Sequence, residues 1–322
     1  MGNVVLVLEM NKILGMQEYY KRFLVDKTPT GGVFAAKTPG CMITAYKSGK
    51  VLFQGSDCEK EAGKWSSPNG TSAAIPGGKK SSSLAKVKTA AGSGLPAGFS
   101  DWSVIGSDEV GTGDFFGPIT VVAAYVRKTD IPWLKEIGVK DSKDLNDEKI
   151  VEIAKAIKNV VPFSLMTLKN EKYNQVQGAG MSQGKMKAFL HNQAILKVLE
   201  KIAPEKPDGI LIDQFVQEST YFQHLRGQKA VARENVYFST KAEGIHLAVA
   251  AASILARYAF IQYIDQMSEA AGFRIPKGAG SQVDEAAAKL IMKKGRDALP
   301  AFVKLHFANT EKAEKLVYKK RN

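Results

Sequence analysis

The stretch GSDEVGTGDFFGP, residues 106–118, decides how the rest of the chain is interpreted. It places the adjacent carboxylates Asp108 and Glu109 near the end of an apolar strand that starts at Val104, and glycines follow them. Carboxylates in a core element are costly unless they are paired or metal-bound. Glycines let a backbone approach a ligand closely and offer it amide groups. The stretch therefore predicts a ligand site at a strand end.

One competing motif and two further acids bear on this prediction. A dinucleotide-binding loop, G-x-G-x-x-G, needs glycine at position 116, where Phe116 stands, and here the acidic pair precedes the loop. Asp213 follows the apolar residues 210–212, where open α/β sheets gather functional groups, although such an Asp alone is more typical of a helix cap or turn. Glu243 precedes an alanine-rich stretch, and by itself it is typical of an ordinary acid at a helix start.

Around this stretch, longer strands alternate with helices, which predicts an α/β domain. The apolar run 118–126 suits a strand paired beside the first one. The next predicted elements, in chain order, are a strand at 160–168, a helix at 183–201, a buried strand at 209–212 and a long helix at 245–267.

Residues 66–98 are predicted to form a flexible linker, because Ser, Gly, Ala, Pro and Lys dominate them and acidic and aromatic residues are absent. The chain is thus divided into an N-terminal domain of residues 1–65, the linker 66–98, and a domain of residues 99–322. The linker lysines are interpreted as solvated; they are Lys79, Lys80, Lys86 and Lys88.

The N-terminal domain is predicted to be α+β. A strand at 4–8 and a helix at 13–24 precede short strands at 33–36, 41–46 and 51–54, with turn residues between them. A helix on one face of a small antiparallel sheet would leave the other face free for a partner. The aromatic residues of these strands either contact a duplex groove or form the core; they are Phe34, Tyr46 and Phe53.

Composition narrows the function further. A net charge of +13 and a pI near 9.5 favour a polyanionic partner such as nucleic acid. Two cysteines, Cys41 and Cys58, are too few for a disulfide framework or a four-cysteine zinc site, and fit the reducing cytoplasm. We identify no secretory signal and no stretch of roughly 18 apolar residues as a membrane span requires. We expect a cytoplasmic protein that does not bind membranes.

Four segments together resemble the type 2 ribonucleases H. That family shares an Asp-Glu-x-Gly-x-Gly opening, an Asp-Ser-Lys loop, a strand-end Asp and an Ala-Ala-Ala-Ser-Ile helix. The matching segments, in the same order, are 108–113, 141–143, 212–213 and 241–257. The resemblance is strong over residues 104–257, and it implies a ribonuclease H-like mixed sheet flanked by helices.

Two departures point to the HIII branch of this family. Gly111-Thr112-Gly113 stands where the HII branch usually has Gly-Arg-Gly, and Glu243 stands where that branch has a fourth Asp. The N-terminal extension also resembles the HIII branch, where it is similar to half of a TATA-binding protein and binds hybrids. The resemblance therefore implies a TATA-binding-protein-like, hybrid-binding domain at residues 1–65.

The resemblance implies an endonuclease that hydrolyses the RNA strand of RNA/DNA hybrids. Two divalent ions, Mg²⁺ or Mn²⁺, would assist the reaction, which leaves 5′-phosphate and 3′-hydroxyl ends. The implied catalytic and metal-binding residues are Asp108, which would bridge both ions, and Glu109, Asp213 and Glu243. Because four close carboxylates repel one another without cations, we expect the site to stay partly open when it is empty.

We expect nucleic-acid contacts from the glycine loop and from the Asp-Ser-Lys loop. We expect the backbone of the glycine loop to recognise the RNA 2′-hydroxyl. We expect the ammonium group of the lysine to neutralise a substrate phosphate. The residues concerned are Gly111, Thr112, Gly113, Ser142 and Lys143. Asp114 is a weaker candidate for supporting the loop.

Other residues are assigned no part in the chemistry. The four histidines share no metal-ligand spacing and are interpreted as structural or exposed; they are His191, His224, His246 and His306. The C-terminal lysines, Lys304 among them, are interpreted as a solvated face. Two alternatives stay open: HII-like incision at single ribonucleotides embedded in DNA, and a non-catalytic hybrid-binding protein. No obligatory protein partner is evident, so we expect a monomer.

Overall fold

The computed structural model describes residues 2–66 and 94–321. They form two compact units, one with residues 2–66, 94–99 and 129–139 and one with residues 100–128 and 140–321. The sequence predicted an N-terminal domain of residues 1–65 and a second domain of residues 99–322. The structure differs in one respect: residues 129–139 pack with the N-terminal unit. Residues 67–93, which hold most of the predicted linker and its four lysines, lie outside the described residues.

The N-terminal unit contains the predicted antiparallel sheet. Its strands, in the spatial order β1-β4-β3-β2, are β1 (Gly2–Val7), β2 (Gly32–Thr38), β3 (Cys41–Tyr46) and β4 (Lys50–Gly55). Two helices accompany them, α1 (Met10–Tyr19) and α2 (Cys58–Gly63). The predicted helix is therefore confirmed but shorter, because a 3₁₀ turn at Lys21–Phe23 replaces its last turn.

The strand aromatics belong to the interior of this unit, so the alternative that placed them in an exposed duplex-binding face is wrong. Phe34, Tyr46 and Phe53 are at most 2% exposed. Phe34 and Phe53 pack with Ile13 and Met16 of α1 on one face of the sheet. For Phe34 and Phe53 this burial follows from strand alternation, which places every second side chain on the helix-covered face.

The opposite face of the sheet is not free along its whole length, contrary to expectation. Helix α3 (Ile131–Glu136) belongs to residues 129–139, which follow β6 in the chain but pack with this unit. Buried Lys50 pairs with Asp130, and Tyr46 contacts Trp133 edge to face at 5.9 Å. Glu136 accepts hydrogen bonds from the backbone amides of Lys47 and Ser48 at 2.8 and 3.0 Å.

The second unit is built on the predicted mixed sheet. Its strands, in the spatial order β7-β6-β5-β8-β9, are β5 (Val104–Val110), β6 (Ile119–Val126), β7 (Phe163–Leu168), β8 (Gly209–Asp213) and β9 (Val236–Ser239). Strand β8 is parallel to both β5 and β9, and the other pairs are antiparallel. Strand β9 was not predicted.

Helices cover both faces of this sheet. In chain order they are α4 (Asp147–Ile157), α5 (Asn170–Gly178), α6 (Gln183–Ile202), α7 (Glu218–His224), α8 (Leu247–Ala271), α9 (Ser281–Lys294), α10 (Leu299–Phe302) and α11 (Asn309–Arg321). Helix α6 packs its Ala188, Ile195 and Val198 with Ile105 of β5. Helix α8 packs closely on β5 and β6 through small side chains, most of them alanine.

Helix α8 bears on the expectation that no stretch of the chain is long and apolar enough to span a membrane. Among the described residues it is the single helix long and apolar enough, by length and composition alone, to cross a membrane. Most of its apolar surface is buried inside the unit, as in the central helix of a folded domain.

Candidate active site

Strand pairing brings the predicted acids to one end of the central sheet. Asp108 lies on β5 and Asp213 ends β8, and these strands are parallel neighbours in which Ser107 pairs with Ile212. The carboxylate of Asp213 accepts a hydrogen bond from the amide of Ala242 at 2.9 Å, in the turn that carries Glu243. Three distant segments of the chain therefore meet at the strand ends.

Asp108 and Glu243 form a buried pair of carboxyl groups. They are 5% and 7% exposed, and Ser253 of α8 donates to Oε1 of Glu243 at 2.6 Å. Burial and the nearby charge of Glu109 raise the pKa of Asp108 well above its usual range. Burial also raises the pKa of Glu243. Without a cation, this pair retains protons more readily than free carboxylates do.

Glu109 has surroundings of the opposite kind. Its Oε1 accepts from the ammonium of Lys187 at 2.7 Å, and its Oε2 lies 2.9 Å from Nε2 of His191. Although burial works in the opposite direction, these partners lower the pKa of Glu109 to about 2. Glu109 is therefore ionised throughout the physiological range.

The Asp-Ser-Lys loop lies beside the acids and contributes a fifth carboxylate, Asp141, that sequence reasoning did not assign. The carboxyl of Asp141 interacts with that of Glu243, which lowers the pKa of Asp141. The charge of Glu243 raises the pKa of Lys143, with further contributions from Asp141 and Asp108. Ser142 is 5% exposed, and its hydroxyl lies 2.9 Å from that of Ser253. Lys143 is thus an exposed cation at the edge of the acids, whereas Ser142 turns its side chain toward them.

The glycine loop follows β5 directly. Gly111 has φ +95°, and a Cβ there would lie 2.1 Å from the carbonyl oxygen of Pro118, so only glycine fits. Gly113 is exposed with open space around its Cα. The hydroxyl of Thr112 is buried and has no hydrogen-bond partner among the described residues. Its backbone carbonyl accepts from Gln183 at 3.2 Å.

Residues far along the chain hold this loop in place. Lys304 is fully buried, and its ammonium donates to the carbonyls of Asp114 and Gly117 at 2.7 and 2.6 Å. Burial lowers its pKa to about 8. The carboxylate of Asp114 accepts from the amide of Gly278 at 2.6 Å. The interpretation of Lys304 as solvated was therefore wrong. The sequence could not show this, because the carbonyl groups that Lys304 contacts belong to residues that lie 190 and 187 positions earlier in the chain.

The site fits divalent cations by its donor set. Its carboxylate oxygens are the hard ligands that Mg²⁺ and Mn²⁺ prefer. Oε2 of Glu243 is buried without a hydrogen-bond donor among the described residues, while other carboxyl groups lie beside it. Within the same residues, no group of three acidic, histidine or cysteine side chains is already arranged closely enough to hold a metal.

Two family models match the chain. The model described as Ribonuclease HII matches residues 105–310, which include all four predicted acids. A model described as Domain of unknown function (DUF3378) matches residues 3–75. The two matches fall on either side of the predicted linker's C-terminal part, in agreement with a small N-terminal domain and a larger second one.

Relatives and solved structures agree with these models. Ribonuclease HIII of Bacillus cereus (strain ATCC 10987 / NRS 248) is 55% identical over 316 residues, which cover 98% of this chain and 99% of the relative. The crystal structure of Bst-RNase HIII in complex with Mn²⁺ is 44% identical with a TM-score of 0.69, over 99% of this chain and 100% of that one. Aquifex aeolicus RNase H3, at 23% identity and a TM-score of 0.52 over 94% of this chain and 99% of that one, shares the fold. This chain therefore belongs to the ribonuclease HIII family.

Proposed function

We propose that the chain is an endonuclease that hydrolyses the RNA strand of RNA/DNA hybrids with the help of divalent metal ions. The observation that supports this proposal is the convergence of Asp108, Asp213 and the Glu243 turn at neighbouring strand ends, with Glu109 next to Asp108. One carboxylate oxygen of Glu243 is buried there without a donor among the described residues. The +13 net charge suits a polyanionic substrate.

The four acids would hold the ions. Two bound Mg²⁺ or Mn²⁺ ions supply an activated water and neutralise charge on the phosphate and on the departing 3′ oxygen. Glu109 remains ionised at neutral pH because of Lys187 and His191. Lys143 stands at the edge of the acids as a cation suited to a substrate phosphate.

The glycine loop is proposed to read the RNA strand. Gly113 is exposed and leaves its backbone open to a ligand. A 2′-hydroxyl both donates and accepts hydrogen bonds, so exposed backbone groups of this loop can recognise it. The expected nucleic-acid contacts therefore stay with Gly111, Thr112, Gly113, Ser142 and Lys143, and for Ser142 they would come through the backbone.

Residues 1–65 are proposed to bind the hybrid, through contacts made chiefly to phosphates and sugars. We further propose that the protein acts in the cytoplasm as a monomer. Cys41 and Cys58 are buried and unpaired, which suits a reducing compartment.

Three end-labelled duplexes test the proposed substrate: a continuous RNA/DNA hybrid, a DNA duplex with one ribonucleotide, and double-stranded RNA, each with Mg²⁺ or Mn²⁺. We expect efficient cleavage of the hybrid alone, at internal positions and with 5′-phosphate ends. Equal cleavage at the single ribonucleotide would favour the HII-like alternative. An intact hybrid that is nevertheless shifted in a gel would replace the nuclease by a binding protein.

A further inference from the structure

Glu109 is held on both oxygens by one face of helix α6. Lys187 and His191 are four residues apart, so they project from the same side of the helix. Lys187 contacts Oε1 of Glu109 and His191 contacts Oε2, at 2.7 and 2.9 Å. His191 is fully buried and Lys187 is 8% exposed, so water competes little for either contact.

The ring of His191 is itself fixed from two further directions. Its Nδ1 lies 2.6 Å from Oγ of Ser107, and the same Oγ lies 3.1 Å from the carbonyl oxygen of Val122. Phe215 stacks on the imidazole at 4.9 Å between ring centroids, with an angle of 25°. Since Ser107 precedes Glu109 by two residues on β5, both side chains lie on the α6 side of the sheet.

Phe215 also connects this arrangement to Asp213, which it follows by two residues. The Lys187 ammonium lies 4.2 Å from the centroid of the Phe215 ring. Helix α6 contacts both oxygens of Glu109, and Phe215 after β8 packs on the two side chains that make these contacts. This arrangement leaves Glu109 few rotamers.

The two contacts leave room for a metal ion. An ionised carboxylate has about four lone-pair positions, and Lys187 and His191 each use one. A ligand residue whose orientation is fixed by outer partners binds metal better than a mobile one, because less conformational entropy is lost on binding. Since His191 Nε2 faces an ionised oxygen, its N–H donates to Glu109.

We propose that His191 is a positioning residue that orients Glu109 for divalent-metal binding, with Lys187 as the second anchor and Ser107 as the group that fixes the imidazole. This inference rests on the proposed function, because it takes Glu109 as a metal ligand. It extends the site from the four acids to a network of three residues behind one of them. His191 touches neither the metal nor the substrate in this scheme and acts only through Glu109.

The test compares His191→Leu, which cannot donate a hydrogen bond, with His191→Gln, whose amide can donate to Glu109. Lys197→Met on the exposed side of α6 is the control. Mn²⁺ binding is titrated by electron paramagnetic resonance on the full chain without nucleic acid, and kcat and KM are then measured on a hybrid. We expect His191→Leu to weaken Mn²⁺ binding about 10- to 100-fold and to lower kcat with little change in KM. His191→Gln should recover most of the Mn²⁺ affinity and most of kcat. Lys197→Met should match the wild type.

Unchanged Mn²⁺ affinity in His191→Leu would overturn the inference, and so would an equal loss in both His191 variants, since packing alone would then explain it. If His191→Leu does not fold, Ser107→Ala removes only the hydroxyl beside Nδ1, and a smaller loss of Mn²⁺ affinity is expected from it; wild-type affinity in Ser107→Ala would then count against the inference. A wild-type chain that binds no Mn²⁺ and leaves the hybrid intact would instead contradict the proposed function.

Discussion

The carboxylates of the candidate site differ in the charge that their surroundings favour. Glu109 is ionised at neutral pH because a lysine and a histidine contact it, whereas burial among other acids raises the pKa of Asp108 and Glu243. An incoming cation reverses the second effect, since it favours the charged form of every acid around it. A cation that binds here would therefore ionise acids whose own surroundings favour the protonated form.

Replacement of Asp213 by Asn tests the acids directly. The amide oxygen of Asn can still accept the hydrogen bond from Ala242, so we expect the fold and hybrid binding to persist. Cleavage should fall by at least about 100-fold, because a metal ligand contributes several kcal/mol through its charge. Initial rates on a labelled hybrid and gel shifts measure the two properties, with Asp297→Asn, at an exposed acid, as the control. Normal turnover in Asp213→Asn would show that Asp213 has been misassigned.

His246 makes the stability of the fold depend on pH. Burial lowers its pKa from 6.5 to about 4, while its Nδ1 accepts from the amide of Ala248 at the start of α8. The unfolded chain takes up a proton near pH 6.5 and the folded chain only near pH 4. The stability that neutral His246 contributes is therefore complete above pH 6.5 and is lost as the pH falls to 4, by about 3 kcal/mol.

We expect His246→Asn to remove this pH dependence, because Asn can cap the helix without titrating. Urea unfolding at pH 7, 5 and 4 measures the free energy of unfolding of the wild type and of His246→Asn. The difference between the two proteins at each pH removes the contributions of the other titrating groups. A difference that stays constant across this range would contradict the assignment.

At the scale of elements, the contact between β5 and α8 positions the acids. Gly106 lies two residues before Asp108, and a Cβ there would lie 2.2 Å from the backbone of Ala248 and Val249. Gly106→Ala must therefore push the helix away from the strand, at a cost of about 1–3 kcal/mol or more. We expect a lower melting temperature and a larger loss of cleavage than of hybrid binding, because Asp108 and Ser253 lie on the two displaced elements.

Gly178→Ala is the matched control for this prediction. A Cβ at Gly178 meets nothing within 4 Å, and the residue ends α5, so alanine should be tolerated there. Equal melting temperatures for the two variants in differential scanning calorimetry would mean that the close approach of α8 to β5 is not required.

The positions of Asp108 and Asp213 near strand ends could be predicted from the sequence, because an apolar run followed by an acid is a local pattern. Their proposed role followed only from the resemblance of four motifs taken together. The sequence also predicted the long helix α8 from its apolar spacing. The partners of Glu109 were missed, since Lys187 and His191 lie 78 and 82 residues from it, and only tertiary packing of α6 on the sheet brings them near. Strand β9 was missed because its four residues are half-buried and form no strong apolar run.

At the scale of the whole molecule, the N-terminal unit is assembled from two separate parts of the chain. Residues 129–139 supply Asp130, Trp133 and Glu136 to it. Lys50 and Asp130 form a buried ion pair, and the loss of one partner leaves an uncompensated charge, which typically costs about 3–5 kcal/mol. The fold of this unit thus depends on chain that follows β6 as well as on residues 1–65.

Deletion of residues 1–65 should therefore have two effects. If these residues bind the hybrid as proposed, KM for the hybrid should rise by at least about tenfold, from lost phosphate and sugar contacts, while kcat changes much less. Trp133 and Ile131 should also lose their covering, so limited proteolysis should newly cut within residues 129–139. Asp130→Ala in the full chain is the control, because it weakens the unit while retaining residues 1–65. An unchanged KM after the deletion would mean that the N-terminal residues serve another purpose than substrate binding.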